Sequence, residues 1–203
     1  LGEGSVNDES FNQSTWEGLK QAKEDFGIEV KYLESKNEAE YIPNIETLID
    51  EDMDLIIGVG YQLKDSIQSS SENYPERKFA ILDETYENIP ANVIPVVFNE
   101  QESAYLTGII AAKMSKTNKV GFIGGLPAPS VVRYQYGYKY GAETTNKDVE
   151  VYEQYANTFN NPHLFLKFGR NNSACRFFVC TRGRYRYNKL CAVLFACILP
   201  RNG

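Results

Sequence analysis

The stretch Ser5 to Leu19, SVNDESFNQSTWEGL, crowds Asn7, Asp8, Glu9, Ser10, Asn12 and Gln13 around one aromatic ring, Phe11. These residue types serve noncovalent chemistry. Amide, hydroxyl and carboxylate groups donate and accept hydrogen bonds, and the ring offers a flat apolar face. An N-cap accounts for one of them, because Asp8 or Ser10 can accept a backbone N–H from the first turn of a helix. Phe11 could also pack on that helix as a hydrophobic staple. Neither device explains so many polar side chains around one ring. Covalent chemistry finds less material. His163 is the only histidine, and the chain holds no GxxxxGK[ST], HExxH or EF-hand loop. Carboxylates are plentiful but scattered over expected helix faces, as solvated surface. The sequence points to binding, with no catalytic residue, no metal and no cofactor.

Positioning such a cluster requires a scaffold, and residues 1–157 read as alternating strands and helices. Trp16, Leu19, Ala22, Lys23 and Phe26 recur at helical spacing, with Gly27 as C-cap and Trp16 facing the core. IEVKYLES (28–35) has the composition of a strand. A helix over 39–52 accepts Pro43 in its first turn. DLIIGVG (54–60), KFAILDE (78–84) and KVGFIGG (119–125) are short apolar runs, as expected of strands buried on both faces. NVIPVVFN (92–99) reads as a strand placed at an edge or irregular position by Pro95. Helices are expected over 61–73, 100–114 and 130–145, and a last strand over 149–156.

This alternation implies an α/β fold with parallel sheets. In such sheets ligands bind beyond the carboxyl ends of the strands. Gly58-Val59-Gly60-Tyr61, Asp83-Glu84-Thr85 and Gly124-Gly125-Leu126 fall at those ends. Asp83 could also serve as an N-cap. Gly58-Val59-Gly60 lacks the third glycine of a dinucleotide fingerprint, since position 63 is Leu, and reads as a tight turn. The opening loop should follow a strand of its own, so the first strand is expected to be missing.

Charge divides the chain. The net charge is −6, yet the last acidic residue is Glu153. Of 21 basic side chains, eight lie beyond it, so residues 1–153 carry 13 against all 27 acids, a net of −14. All four cysteines also fall late, at Cys175, Cys180, Cys191 and Cys197. No apolar run is long enough to span a membrane.

Several segments occur in the order of one family: SVNDESFNQSTWEGLK, YLESKNEAEYIPNIETLID, DLIIGVGY, YPERKFAILDETY and FNEQESAYLTGIIAAKMSKTNKVGFIGG, followed by a PxP turn. Over about residues 2–160 the chain resembles the basic membrane protein family of substrate-binding lipoproteins, the purine nucleoside receptor A type. The resemblance implies a type I periplasmic-binding fold, whose two lobes close on a purine nucleoside and deliver it to ABC permease subunits. It implies that Phe11 stacks on the purine while Asn7, Asp8, Ser10 and Asn12 supply polar groups. Asp83 matches the family's cleft acid. Tyr61 stands where the family usually has phenylalanine, and Phe159 matches a segment of the second lobe that turns into the cleft. An N-terminal lipid outside this sequence would hold the protein at the extracellular face of the cytoplasmic membrane, and no nucleic acid partner is expected. Two other readings stand beside it: a ligand-sensing regulator on the same fold, and a nucleotide-dependent α/β enzyme.

On this reading residues 1–117 form the N-terminal lobe without its first strand, and 118–160 begin the second lobe. Residues 161–203 form a basic, cysteine-containing tail that the resemblance does not cover. Zinc spacing fits Cys-x4-Cys and Cys-x5-Cys poorly, and RGRYR would suit an RNA or membrane surface. The abrupt loss of acids favours a shifted reading frame. A chain with an incomplete cleft is expected to bind nucleosides weakly or not at all.

Overall fold

The structure is a computed structural model that describes residues 1–2, 5–8, 11–158, 178–180 and 193–195. The described residues form two compact units, divided between Phe98 and Asn99.

Unit 1 is built on a three-stranded parallel sheet of β1 (Leu55–Val59), β2 (Lys78–Leu82) and β3 (Val93–Val96), in that order. Its helices are α1 (Phe11–Phe26), α2 (Tyr41–Asp50) and α3 (Lys64–Asn73). β1 and β2 run in register from Leu55 opposite Lys78 to Val59 opposite Leu82. The core gathers Tyr41, Ile45, Ile56, Ile67, Phe79 and Ile81, the apolar stripes of α2 and α3 closing on the central strands. Pro95 lies on β3, opposite Ile81, where its missing N–H costs no ladder bond on the outer side of the edge strand.

Unit 2 contains α4 (Glu100–Met114), β4 (Lys119–Gly124), α5 (Pro129–Thr145) and β5 (Glu150–Tyr155). β4 pairs in parallel with β5 on one side and with β6 (Phe178–Cys180) on the other, and β7 (Val193–Phe195) adds antiparallel to β6. Two short pieces of the tail thus join this sheet.

Two expectations change. The first concerns the boundary near residue 117, which placed the helix over 100–114 in the first lobe. That helix, α4, packs in unit 2. A Cβ on Gly108 would press into the Tyr138 carbonyl of α5, and Cβ atoms on Gly137 and Gly141 would press into the Gln101 and Tyr105 backbone of α4. Three glycines let these two backbones approach closely, and that contact assigns the helix. The second concerns residues 28–35, which form no regular strand; Ser35 alone makes a single bridge. A strand exists only through hydrogen bonds to a neighbour, and on the side of β1 these residues face a cavity.

Candidate functional site

The carboxyl edge of the unit 1 sheet carries Tyr61 and Asp83, while Asn7, Asp8, Phe11 and Asn12 belong to the loop and first turn of α1. The loop ahead of α1 is built around two side chains. Asp8 accepts the Asn12 N–H at 3.2 Å and the Gln13 N–H at 3.0 Å, which caps the helix. Asn12 is only 7% exposed, and its Nδ2 donates to the Ser5 carbonyl at 3.3 Å. Glu34 holds the loop from outside: its Oε1 accepts the Val6 N–H at 2.6 Å and the Ser5 hydroxyl at 3.2 Å. Asp8 and Asn12 therefore shape the loop by their own bonds. Asn7 and Phe11 point outward, with Phe11 37% exposed and absent from the core. The staple reading of Phe11 asks for burial that this ring does not have.

Gly2 reaches this edge. A Cβ on Gly2 would lie 2.9 Å from Gln62 Oε1 and 3.7 Å from the Val59 carbonyl, so the chain ahead of Ser5 abuts the end of β1. Beyond β1, Gly60 adopts φ 85° and opens a 3-10 turn, Tyr61–Leu63, on which Tyr61 is 44% exposed. Glycine is the residue suited to that left-handed backbone. The Gly60 N–H donates to the Leu82 carbonyl at 3.0 Å, so the turn is tied to the neighbouring strand. The next residue after that strand is Asp83.

Asp83 has φ 63° and donates its N–H to the Val96 carbonyl at 2.8 Å. A non-glycine residue in this region carries about 1–2 kcal/mol of strain, eased for Asp by its short polar side chain. The strain is sustained by a buried cluster next door. Glu84, 7% exposed, accepts the Thr85 N–H at 2.8 Å and the Lys64 ammonium at 3.2 Å. Tyr86 donates its hydroxyl to the Lys64 carbonyl at 2.8 Å, and its ring lies beneath the Lys64 ammonium, 5.6 Å from the centroid. Burial first, then the charges of Glu84 and Asp65, push the Tyr86 phenol up to about 12.

The arrangement can hold a flat ligand by stacking and by hydrogen bonds to an acid. Among the described residues no group of His, Cys, Asp or Glu is disposed to hold a metal ion. No helix among them is long and apolar enough to cross a membrane. Ser10 and Phe159 lie outside the described residues. Glu34, Lys64 and Tyr86 were not singled out by the sequence, because each acts on the site through a partner distant along the chain.

A separate cavity of about 530 Å³ lies elsewhere in unit 1, between residues 28–35, β1, α1 and α2. Phe11, Tyr61 and Asp83 are not among its lining residues. Its form is that of a gap in the sheet, and it is not the site just described.

Comparison with known proteins gives the site its context. Residues 1–167 match the family model described as ABC transporter substrate-binding protein PnrA-like. The match extends past residue 160, where the resemblance of the sequence ends. Basic membrane protein A of Borreliella burgdorferi is 42% identical over 159 residues, covering 77% of this chain and 47% of that protein. The ABC transporter nucleoside-binding protein BmpA of Lactococcus lactis subsp. cremoris is 38% identical over 159 residues, covering 76% of this chain and 45% of that protein. A solved ABC transporter solute-binding protein from Aeropyrum pernix K1 superposes with a TM-score of 0.75 and 28% identity, over 89% of this chain and 53% of that one. The chain spans about half the length of the curated relatives it matches. Its parallel sheets flanked by helices are those of periplasmic solute-binding proteins. With the family model covering most of its residues, this chain belongs to the PnrA-like family of ABC transporter substrate-binding proteins.

Proposed function

We propose that this chain is part of an extracytoplasmic solute-binding protein that captures purine nucleosides for an ABC importer. What supports the proposal is an exposed Phe11 at the start of α1, together with an exposed Tyr61 and a strained Asp83 at the ends of the neighbouring strands β1 and β2. A purine presents two flat faces and a hydrogen-bonding edge. Phe11 meets a face, and stacking of this kind is worth roughly 1–3 kcal/mol per base. Asp83 accepts from ring N–H groups or ribose hydroxyls, a charge-assisted bond. Asn7, Asp8 and Asn12 shape and edge the loop, and Tyr61 adds a second aromatic surface. No bond in the ligand is made or broken, and the chain is not an enzyme. The name of the Lactococcus lactis relative, a nucleoside-binding protein, supports the ligand class. Permease subunits are the partners, and a lipid on the full-length protein holds it outside the cytoplasmic membrane.

The test is a heteronuclear NMR titration of the chain with inosine, guanosine, adenosine and uridine, which reads weak as well as tight binding. Purine nucleosides should shift the amides of Ser5–Asn12 and of Asp83–Tyr86, with smaller shifts from uridine. Shifts confined to other residues, or equal response to purine and pyrimidine, would refute the proposal.

A further inference from the structure

Lys64 opens α3, a position that suits a lysine poorly. The first turn of a helix is the positive end of its dipole, which disfavours a cation, and Leu63 ahead of it makes no side-chain cap bond. Helix formation therefore does not account for this residue. Its bonds point elsewhere. The Lys64 N–H donates to the Tyr61 carbonyl and closes the 3-10 turn. Its carbonyl accepts the Tyr86 hydroxyl at 2.8 Å, and its ammonium meets Glu84 Oε1 at 3.2 Å. One residue thus grips both the turn after β1 and the loop after β2.

The loop after β2 offers Lys64 two buried polar groups. Glu84 and Tyr86 are buried, whereas Asp83 and Thr85 are half-buried, so alternate residues pack inward against Lys64. A carboxylate only 7% exposed needs a charge partner and hydrogen bonds. Glu84 finds them in the Lys64 ammonium and the Thr85 N–H. The Tyr86 hydroxyl meets the same need at the Lys64 carbonyl. The desolvation of these groups is offset only while Lys64 stays in place, which restricts the loop to one arrangement. Asp83 stands at the head of that loop with φ 63°. A residue strained in this way keeps its conformation only where the surrounding structure fixes it.

We propose that Lys64, Glu84 and Tyr86 are positioning residues for ligand capture, fixing the Asp83 carboxylate relative to the Tyr61 ring so that acid and aromatic surface meet the ligand as one preformed pair. The inference rests on the nucleoside-binding reading of Asp83 and Tyr61 given above. None of the three residues needs to touch the ligand. They act by removing the ordering of two separate loops that binding would otherwise require.

The test combines Glu84→Gln with Asp83→Gly in the full chain and reads inosine affinity by NMR titration. Asp83→Gly deletes the carboxylate and suits a positive φ. Glu84→Gln alone should weaken inosine binding by roughly tenfold, because the acid is present but no longer held to its bond. In the Asp83→Gly background the same change should alter affinity by less than about twofold, since no carboxylate is left to place. A role in the fold alone would lower affinity equally in both backgrounds, and that result overturns the proposal. Should Glu84→Gln fail to fold, Tyr86→Phe, which removes one bond to Lys64, takes its place in the same comparison. The unliganded chain gives a second reading. Glu84→Gln should move the amide signals of Asp83–Tyr86 and of Tyr61–Leu63 together. Shifts confined to Asp83–Tyr86 overturn the proposal even where inosine binds. No response to inosine in the unaltered chain overturns the nucleoside reading itself, and the positioning role with it.

Discussion

The Gly60 N–H donates to the Leu82 carbonyl at 3.0 Å, binding the turn that carries Tyr61 to the strand that ends at Asp83. Two residues separated along the chain thus sit at neighbouring strand ends, and Gly2 lies beside Val59 at the same edge. The parallel sheet makes this possible, because consecutive parallel strands all end on one side.

Replacing Phe11 by Ala should weaken purine nucleoside binding by about tenfold to a hundredfold, from roughly 1–3 kcal/mol of stacking. The fold should barely respond, because the ring is exposed. Calorimetric titration alongside urea unfolding separates the two effects. Loss of stability equal to the loss of binding would make Phe11 a packing residue.

Asp83→Asn keeps a short polar side chain that tolerates positive φ while removing the charge. Affinity should fall about tenfold, the difference between a charged and a neutral acceptor, with little change in unfolding midpoint. Asp83→Val should instead destabilise the chain, because a β-branched residue fits a φ of 63° poorly.

Asp8 accepts the N–H groups of Asn12 and Gln13 at the start of α1. Asp8→Ala should therefore cost about 1 kcal/mol, as loss of an N-cap does. The fluorescence of Trp16, the only tryptophan, whose ring meets Tyr32 edge-on at 4.8 Å, reports on this helix. Its unfolding curve should shift to lower urea with an unchanged slope.

The glycines of α4 and α5 offer a paired control. Gly108→Ala places a methyl group against the Tyr138 carbonyl and should destabilise unit 2 by about 1–3 kcal/mol. Gly18→Ala, on α1 with nothing within 4 Å, should stabilise by about 0.5–1 kcal/mol. Thermal unfolding of both variants measures the contrast.

Tyr86 holds its proton more tightly in the fold, up to about 12, than in the unfolded chain at about 10. Its contribution is complete below pH 10 and is lost as the pH rises to 12, because the unfolded phenol ionises first. Alkaline titration by ultraviolet absorbance should lose one late-titrating tyrosine in Tyr86→Phe, leaving Tyr155, which burial also raises. The stability of that variant should fall less steeply between pH 10 and 12.

Legibility in the sequence followed the range of the interaction. Apolar runs such as DLIIGV and KFAIL announced β1 and β2, and Pro95 announced an edge strand, because these signals are local. Residues 28–35 carried the same composition yet formed no strand, since composition cannot supply a hydrogen-bonding neighbour. Asp8 was visible as a cap, whereas Glu34, bonded across 28 residues to Val6, left no local trace. The same is true of the Lys64–Glu84 pair. The unit to which α4 belongs was hidden for a related reason: it depends on glycines of two helices meeting face to face.

The central claim is that Phe11 stacks on a purine, and the most direct measurement is the NMR shift of the purine ring protons of inosine or guanosine on binding. Stacking on Phe11 predicts upfield ring-current shifts that fall sharply in Phe11→Leu and persist in Asp8→Ala. Upfield shifts of equal size in Phe11→Leu would contradict it and would move the aromatic contact to another residue.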